Sequence, residues 1–122
     1  MNHLINVFLV DDDVALQNIY KAIFPISSID IVAQAYDGAE AVKRIEEGTV
    51  FDIIIMDQRM PIMDGVTATK RILESNGDAR ILFLSADEGS REAALAAGAK
   101  SFLTKPIKLD ALIEAIIKTA TT

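Results

Sequence analysis

Five short strand-forming runs, each followed by an amphipathic stretch, constrain this chain more than any other feature. Residues 4–10, 31–35, 53–56, 81–84 and 101–104 read as strands. Residues 14–24, 37–47, 66–75, 92–97 and 109–119 read as helices. Strand and helix alternating at this spacing is the mark of repeated βα units, which build a parallel sheet. The run Ile53-Ile54-Ile55-Met56 carries no polar alternation. Such a strand suits a sheet covered by helices on both faces. Right-handed crossovers place those helices on the two sides. The expected fold is therefore α/β: a doubly wound, five-stranded (βα)5 sheet of order 2-1-3-4-5. That order reverses direction between strands 1 and 3 and makes them neighbours at the switch point.

Local punctuation agrees with this division. Pro25 closes the first helix, and Gly48, Gly77 and Gly98 stop the second, third and fourth. Asp37 and Glu40 form a capping box for the second helix, and Ser90 is placed to cap the fourth. With 122 residues and no repeat or linker, the chain is expected to be one domain, 1–122. The absence of cysteine favours a reducing, cytoplasmic setting. The N-terminal stretch has no basic region or cleavage site, and its apolar run is too short to span a bilayer. Twelve basic residues against 18 acidic ones give a net charge of −6. That balance argues against nucleic acid or an anionic membrane as partner and is compatible with a bound divalent cation.

The chemistry is expected at the carboxyl edge of the sheet. The first strand ends at Asp11-Asp12-Asp13 and the third at Asp57. Neighbouring strands lie about 4.8 Å apart, so Asp11, Asp12 and Asp57 should share one pocket. Three carboxylates that close stay ionised only around a cation, and an all-oxygen site favours Mg²⁺ or Mn²⁺. The fourth strand leads to Ser85 and the fifth to Lys105, which adds a hydroxyl and an ammonium to the same edge. A metal, an amine and a hydroxyl around one carboxylate are equipment for receiving a phosphoryl group.

The segments LVDDD (9–13), IIIMDQRMPIMDG (53–65), LSA (84–86) and AAGAKSFLTKP (96–106), in this order and spacing, resemble the receiver domain of two-component response regulators. The resemblance covers the whole chain and implies a flavodoxin-like fold. It implies that Asp57 is the phosphoacceptor, served by a histidine kinase or histidine phosphotransfer protein. Asp12 is implied as a direct metal ligand, Asp11 as one acting largely through water, and Asp57 and the Arg59 backbone carbonyl as further ligands. Lys105 is the implied phosphate partner, in a cis peptide with Pro106. Ser85 is the implied switch hydroxyl and Phe102 the aromatic switch. Their movement is expected to reshape the face made by the fourth helix, fifth strand and fifth helix. Partner binding or onward phosphotransfer by a single-domain regulator follows, as a monomer or a weak phosphorylation-dependent dimer. Enzymatic activity is expected to be limited to self-catalysed phosphorylation and hydrolysis.

Some positions depart from the pattern or have plainer roles. Phe102 lacks the tyrosine hydroxyl, so its inward preference is expected to come from packing alone. The stretch from Ser85 to Gly98 is shorter than family members commonly have. Arg59 and Asp87 flank the mouth of the site and are expected to pair across it, slowing attack by water. Asp13 is expected to cap a helix, Asp64 to cap or brace its loop, Asp52 to start a strand, and His3 to have no catalytic role. Three alternatives stand beside the receiver reading. One is a metal-dependent aspartyl-phosphate phosphohydrolase, weakened by the lack of an acid at position 59. The second is a flavodoxin-type cofactor binder, weakened by acids where a phosphate loop belongs. The third is a receiver cut from a longer protein.

Overall fold

A computed structural model describes residues 4–122. His3 lies outside the described residues. The sheet has five parallel strands: β1 (Ile5–Val10), β2 (Ile29–Ala35), β3 (Ile53–Met56), β4 (Ile81–Ser85) and β5 (Ser101–Thr104), in the order β2-β1-β3-β4-β5. Five helices alternate with them: α1 (Val14–Ile23), α2 (Gly38–Glu46), α3 (Gly65–Ser75), α4 (Arg91–Ala97) and α5 (Leu109–Thr121).

Every residue of β3 is buried, as its unbroken apolar run predicts. The pleat sends Ile54 and Met56 into one core layer and Ile53 and Ile55 into the other. The first layer takes in Ala41, Ile45, Ala68, Ile72 and Ala94 from α2, α3 and α4. The second takes in Phe24, Leu112 and Ile116 from the α1 and α5 side. Each such buried side chain contributes about 1.5–3 kcal/mol relative to exposure, so β3 is firmly held from both faces.

Several boundaries differ from expectation. β1 begins at Ile5 rather than at residue 4. β2 begins at Ile29 rather than Ile31, because its ladder starts at Ile5↔Ile29. Exposed Asp30 interrupts the apolar run there, which an edge strand tolerates. α1 ends at Ile23, and Pro25 sits inside a following 3-10 turn, Phe24–Ser27, instead of ending the helix outright. Ser90 does not cap α4: its hydroxyl donates to the Asp87 carbonyl at 2.7 Å. The other caps are present. Asp13 Oδ1 accepts from Leu16 N (3.0 Å), Asp37 Oδ1 from Glu40 N (2.8 Å) and Asp64 Oδ1 from Thr67 N (2.9 Å). Glu40 reaches back to the Tyr36 amide (2.7 Å), one residue before the position a capping box prescribes. Asp52 stands directly before β3 and accepts from the Asn6 amide at 2.7 Å.

Ile62, in the loop between β3 and α3, has φ 70° and is 83% exposed. A β-branched residue in the left-handed region is a true outlier, because Cβ crowds the following carbonyl. Ile62→Asn is expected to stabilise the protein by about 1 kcal/mol. The urea midpoint should rise with an unchanged slope, and an unmoved midpoint would refute the strain.

Candidate functional site

Strand register brings the acids together. Val10 pairs with Met56, so Asp11 and Asp57 leave the sheet side by side. Their backbones are tied where the ladder ends: Asp57 N donates to Val10 O (3.0 Å) and Asp11 N to Ala35 O (3.1 Å). Carboxylate oxygens of Asp11, Asp12 and Asp57 lie within 4.8 Å of one another. Asp11 is 4% exposed and Asp57 9%, whereas Asp12 faces solvent. Three hard oxygen donors at this spacing suit Mg²⁺ or Mn²⁺ and suit zinc poorly. The residues present fit such a cation.

Lys105 arrives from the end of β5, where Ser85 pairs with Thr104 and Lys105 N donates to Ser85 O (2.9 Å). The Lys105–Pro106 peptide is cis. Lys105 Nζ donates to Asp11 Oδ2 at 2.8 Å and stands 3.6 Å from Asp57 Oδ2. Its closest carboxylate is thus Asp11, not the candidate phosphoacceptor. Burial pulls the Lys105 ammonium down, but the Asp11 bond and the charges of Asp11 and Asp57 outweigh it and hold its pKa above the usual value. For Asp57 the balance raises the pKa. Burial and then the Asp11 charge push it up, and Lys105, the Gln58 amide and the nearby Ser85 hydroxyl pull it down less.

Ser85 is 1% exposed at the end of β4, and its hydroxyl accepts from Asp87 N at 3.0 Å. Phe102 is 4% exposed and stacks on Phe83, with ring centroids 5.8 Å apart and planes 16° from parallel. The ring already points inward. Packing is not its only support, contrary to expectation. The Arg91 guanidinium lies 4.8 Å over the ring, a contact worth about 0.5–1 kcal/mol at exposed sites. Arg91 also donates to the Phe102 carbonyl (3.1 Å) and pairs with Glu88 (2.7 Å), which in turn accepts from Thr104. The short α4 begins at Arg91, directly after a 3-10 turn over Glu88–Ser90.

Arg59 and Asp87 meet as expected: Arg59 Nε lies 3.2 Å from Asp87 Oδ2, with the Arg59 side chain 84% exposed. Asp13 and Asp64 are spent on helix caps and stand outside the acidic cluster. Sequence reasoning missed Gln58 as well as Arg91. Gln58 Oε1 accepts from Val66 N (2.8 Å) and Gln58 O from Gly65 N (2.9 Å), which braces α3 beside Asp57. Only the adjacency of Gln58 to Asp57 could have hinted at this.

Comparison with known proteins agrees with the geometry. Residues 7–117 match the response regulator receiver domain family. The chain is 38% identical over 115 residues to the chemotaxis protein CheY of Bacillus subtilis, covering 93% of this chain and 95% of that one. Its fold superposes on CheY of Borrelia burgdorferi, solved in complex with CheX, BeF3 and magnesium. That match has a TM-score of 0.86 and 32% identity, over 97% of this chain and 90% of the other. It also superposes on the receiver domain of a sensor histidine kinase from Pseudomonas aeruginosa with magnesium coordinated in its active-site cleft. There the TM-score is 0.85 and the identity 31%, over 98% and 100% of the two chains. No described helix is long and apolar enough to cross a membrane. An acidic cluster at the β1–β3 switch point, with a lysine and a serine beside it, thus sits on a chain that belongs to the response regulator receiver domains, the phosphorylation-dependent switches of two-component signalling.

Proposed function

We propose that Asp57 accepts a phosphoryl group from a phosphohistidine of a kinase or phosphotransfer protein. One observation carries this reading. Asp57 lies in a three-carboxylate cluster spanning 4.8 Å, with the Lys105 amine 3.6 Å away. An Asp57 carboxylate oxygen forms a bond to phosphorus as the donor's N–P bond breaks, and the imidazole keeps the electron pair. Asp11, Asp12, Asp57 and the Arg59 carbonyl would hold Mg²⁺ or Mn²⁺, which supplies neutralisation of charge on the phosphoryl oxygens. Lys105 shifts from Asp11 toward the new phosphoryl oxygens, and the Ser85 hydroxyl turns to donate to them. The turn carrying Asp87 follows Ser85, because its amide donates to that hydroxyl at rest. The response therefore reaches α4, β5 and α5 through residues 85–91. The neighbour solved as a complex with CheX, BeF3 and magnesium supports binding of a protein partner by the chain in that state. A phosphohydrolase reading gains nothing from the geometry, since Arg59 is engaged with Asp87 and offers no acid.

Incubation with Mg²⁺ and acetyl phosphate, followed by intact mass, tests the proposal. One added phosphoryl group is expected, absent in Asp57→Ala. A phosphoryl group that persists in Asp57→Ala would move the acceptor elsewhere.

The Arg59–Asp87 pair gives a second prediction. Arg59 follows Asp57 by two residues and Asp87 follows Ser85 by two, so their 3.2 Å pair bridges the loops after β3 and β4 that border the site. Arg59→Ala is expected to speed loss of the phosphoryl group. An exposed pair is worth under about 1 kcal/mol, which limits the acceleration to about fivefold. Decay rates equal to the parent's in Arg59→Ala and Asp87→Ala would remove the pair from the hydrolytic step.

A further inference from the structure

Gln17 is a polar residue with no place in the chemistry above, yet it is fully buried under the acidic turn. It sits in the first turn of α1 and is 0% exposed. Its Nε2 donates to the Asp11 carbonyl at 2.9 Å and to the Ala35 carbonyl at 2.8 Å. Its Oε1 accepts from Gln34 Nε2 at 2.7 Å, and Gln34 in turn reaches the Tyr36 hydroxyl at 3.4 Å. One primary amide therefore donates to the carbonyl just past the end of β1 and to the last carbonyl of β2, where the ladder between them stops, with a longer 3.5 Å approach to the Leu9 carbonyl.

The position decides what those bonds hold. Beyond Val10 and Ala35 the two strands no longer pair, and the chain turns out toward Asp12. The Asp11 N–H, tied to Ala35 O, belongs to the preceding peptide and leaves the Asp11 carbonyl to be held by Gln17. The Asp11 carboxylate is already held from outside, by Asp13 N at 2.8 Å and Lys105 Nζ at 2.8 Å. Gln17 holds the same residue from inside, through its carbonyl. Fixing that carbonyl fixes the peptide plane between Asp11 and Asp12, and with it the direction in which Asp12 leaves the backbone.

We propose that Gln17 is a positioning residue for a divalent cation: its buried amide sets the Asp11-Asp12 turn so that both carboxylates converge on Asp57. The inference rests on reading the acidic cluster as a cation site. Partners of this kind, one shell behind the ligands, typically change metal affinity by tenfold or more when removed. Gln17 touches no ligand atom of the cluster and takes no part in phosphoryl transfer itself.

Gln17→Met is the informative change, since methionine is close in shape and lacks the donor. Calorimetric titration with Mg²⁺ is expected to show affinity weakened about tenfold. Hydrogen exchange on the metal-free protein should show protection lost at the Asp11 and Asp13 amides and kept at Ile55 and Leu82. Uniform loss of protection across the sheet would mean a merely structural tie and would overturn the proposal, as would unchanged Mg²⁺ affinity. Should Gln17→Met fail to fold, Gln34→Ala decides. Gln34 is only partly buried on the edge strand, and its loss frees Gln17 Oε1 without emptying the core. A smaller weakening in the same direction supports the proposal, and parental affinity refutes it. A parent chain that binds no Mg²⁺ would sink the cation-site reading, while exchange at residues 11 and 13 still decides what Gln17 does.

Discussion

Metal-free Asp57→Asn should melt several degrees above the parent at neutral pH, although it is expected to accept no phosphoryl group. The resting site holds Asp11 and Asp57 almost out of water, with one lysine between them. That lysine is bonded to Asp11 at 2.8 Å and stands farther from Asp57, so the Asp57 charge is the less well compensated of the two. Its raised pKa says the same thing. Burial is the first cause and the Asp11 charge the second. A carboxyl whose folded-state pKa lies above its unfolded value, here 3.8, binds its proton more tightly when folded. Its ionisation therefore lowers stability as pH rises from 3.8 through the raised native value, and the loss is complete above it. Asparagine keeps the shape and removes that loss. The difference in melting temperature should shrink as pH falls toward 4 and widen toward pH 7. Excess Mg²⁺ should narrow it again, because a cation stabilises the ionised parent by mass action more than it stabilises the variant. Equal melting temperatures for the two proteins at pH 7 without metal would show that Asp57 carries no uncompensated charge.

The position of these acids at strand ends explains which parts of the molecule could be read in advance. Asp11 and Asp57 each end an apolar run, and a carboxylate in that position can face only the open edge of the sheet. The strand order then makes them neighbours, and the register Val10↔Met56 delivers them side by side. Lys105 and Ser85 were legible for the same reason, as the residues next after or at the ends of β5 and β4. Gln17 and Arg91 were not. Each stands in a helical stretch where a polar residue ordinarily faces water, and each is defined by partners distant in sequence: Ala35 for Gln17, Phe102 for Arg91. Period and spacing carry no information about such contacts. Ile29 was hidden by Asp30, whose exposure on an edge strand breaks the pattern without breaking the strand. The left-handed Ile62 was invisible because its residue type argues against its conformation.

Gly65→Ala, by contrast, should damage fold and site together. Gly65 opens α3 and packs directly on the backbone of Asp57. A Cβ built there falls inside the envelope of the Asp57 carbonyl oxygen, and lies only 3.0 Å from both the Asp57 carbonyl carbon and Phe83 Cε2. Its φ lies outside the left-handed region, so close approach and not φ is what excludes alanine. The obstacle is the end of β3, which is buried on both faces and cannot yield cheaply. Either α3 moves out, losing the Gly65 N to Gln58 O bond of 2.9 Å, or Asp57 is pushed out of register with Asp11. Overpacking of this kind is expected to cost about 3 kcal/mol, a fall in melting temperature of about 10 °C for a domain of this size. Where the variant is still folded, Mg²⁺ affinity and phosphorylation by acetyl phosphate should both be weakened, because the displaced residue is the one at the centre of the site. Gly77→Ala is the control. A Cβ there meets only the Leu73 carbonyl oxygen at 3.7 Å, an ordinary contact, and its melting temperature should stay within the scatter of the parent. If Gly65→Ala melted with Gly77→Ala and took a phosphoryl group at the parental rate, the tight seat of α3 against Asp57 would not be what holds the proposed phosphoacceptor in place.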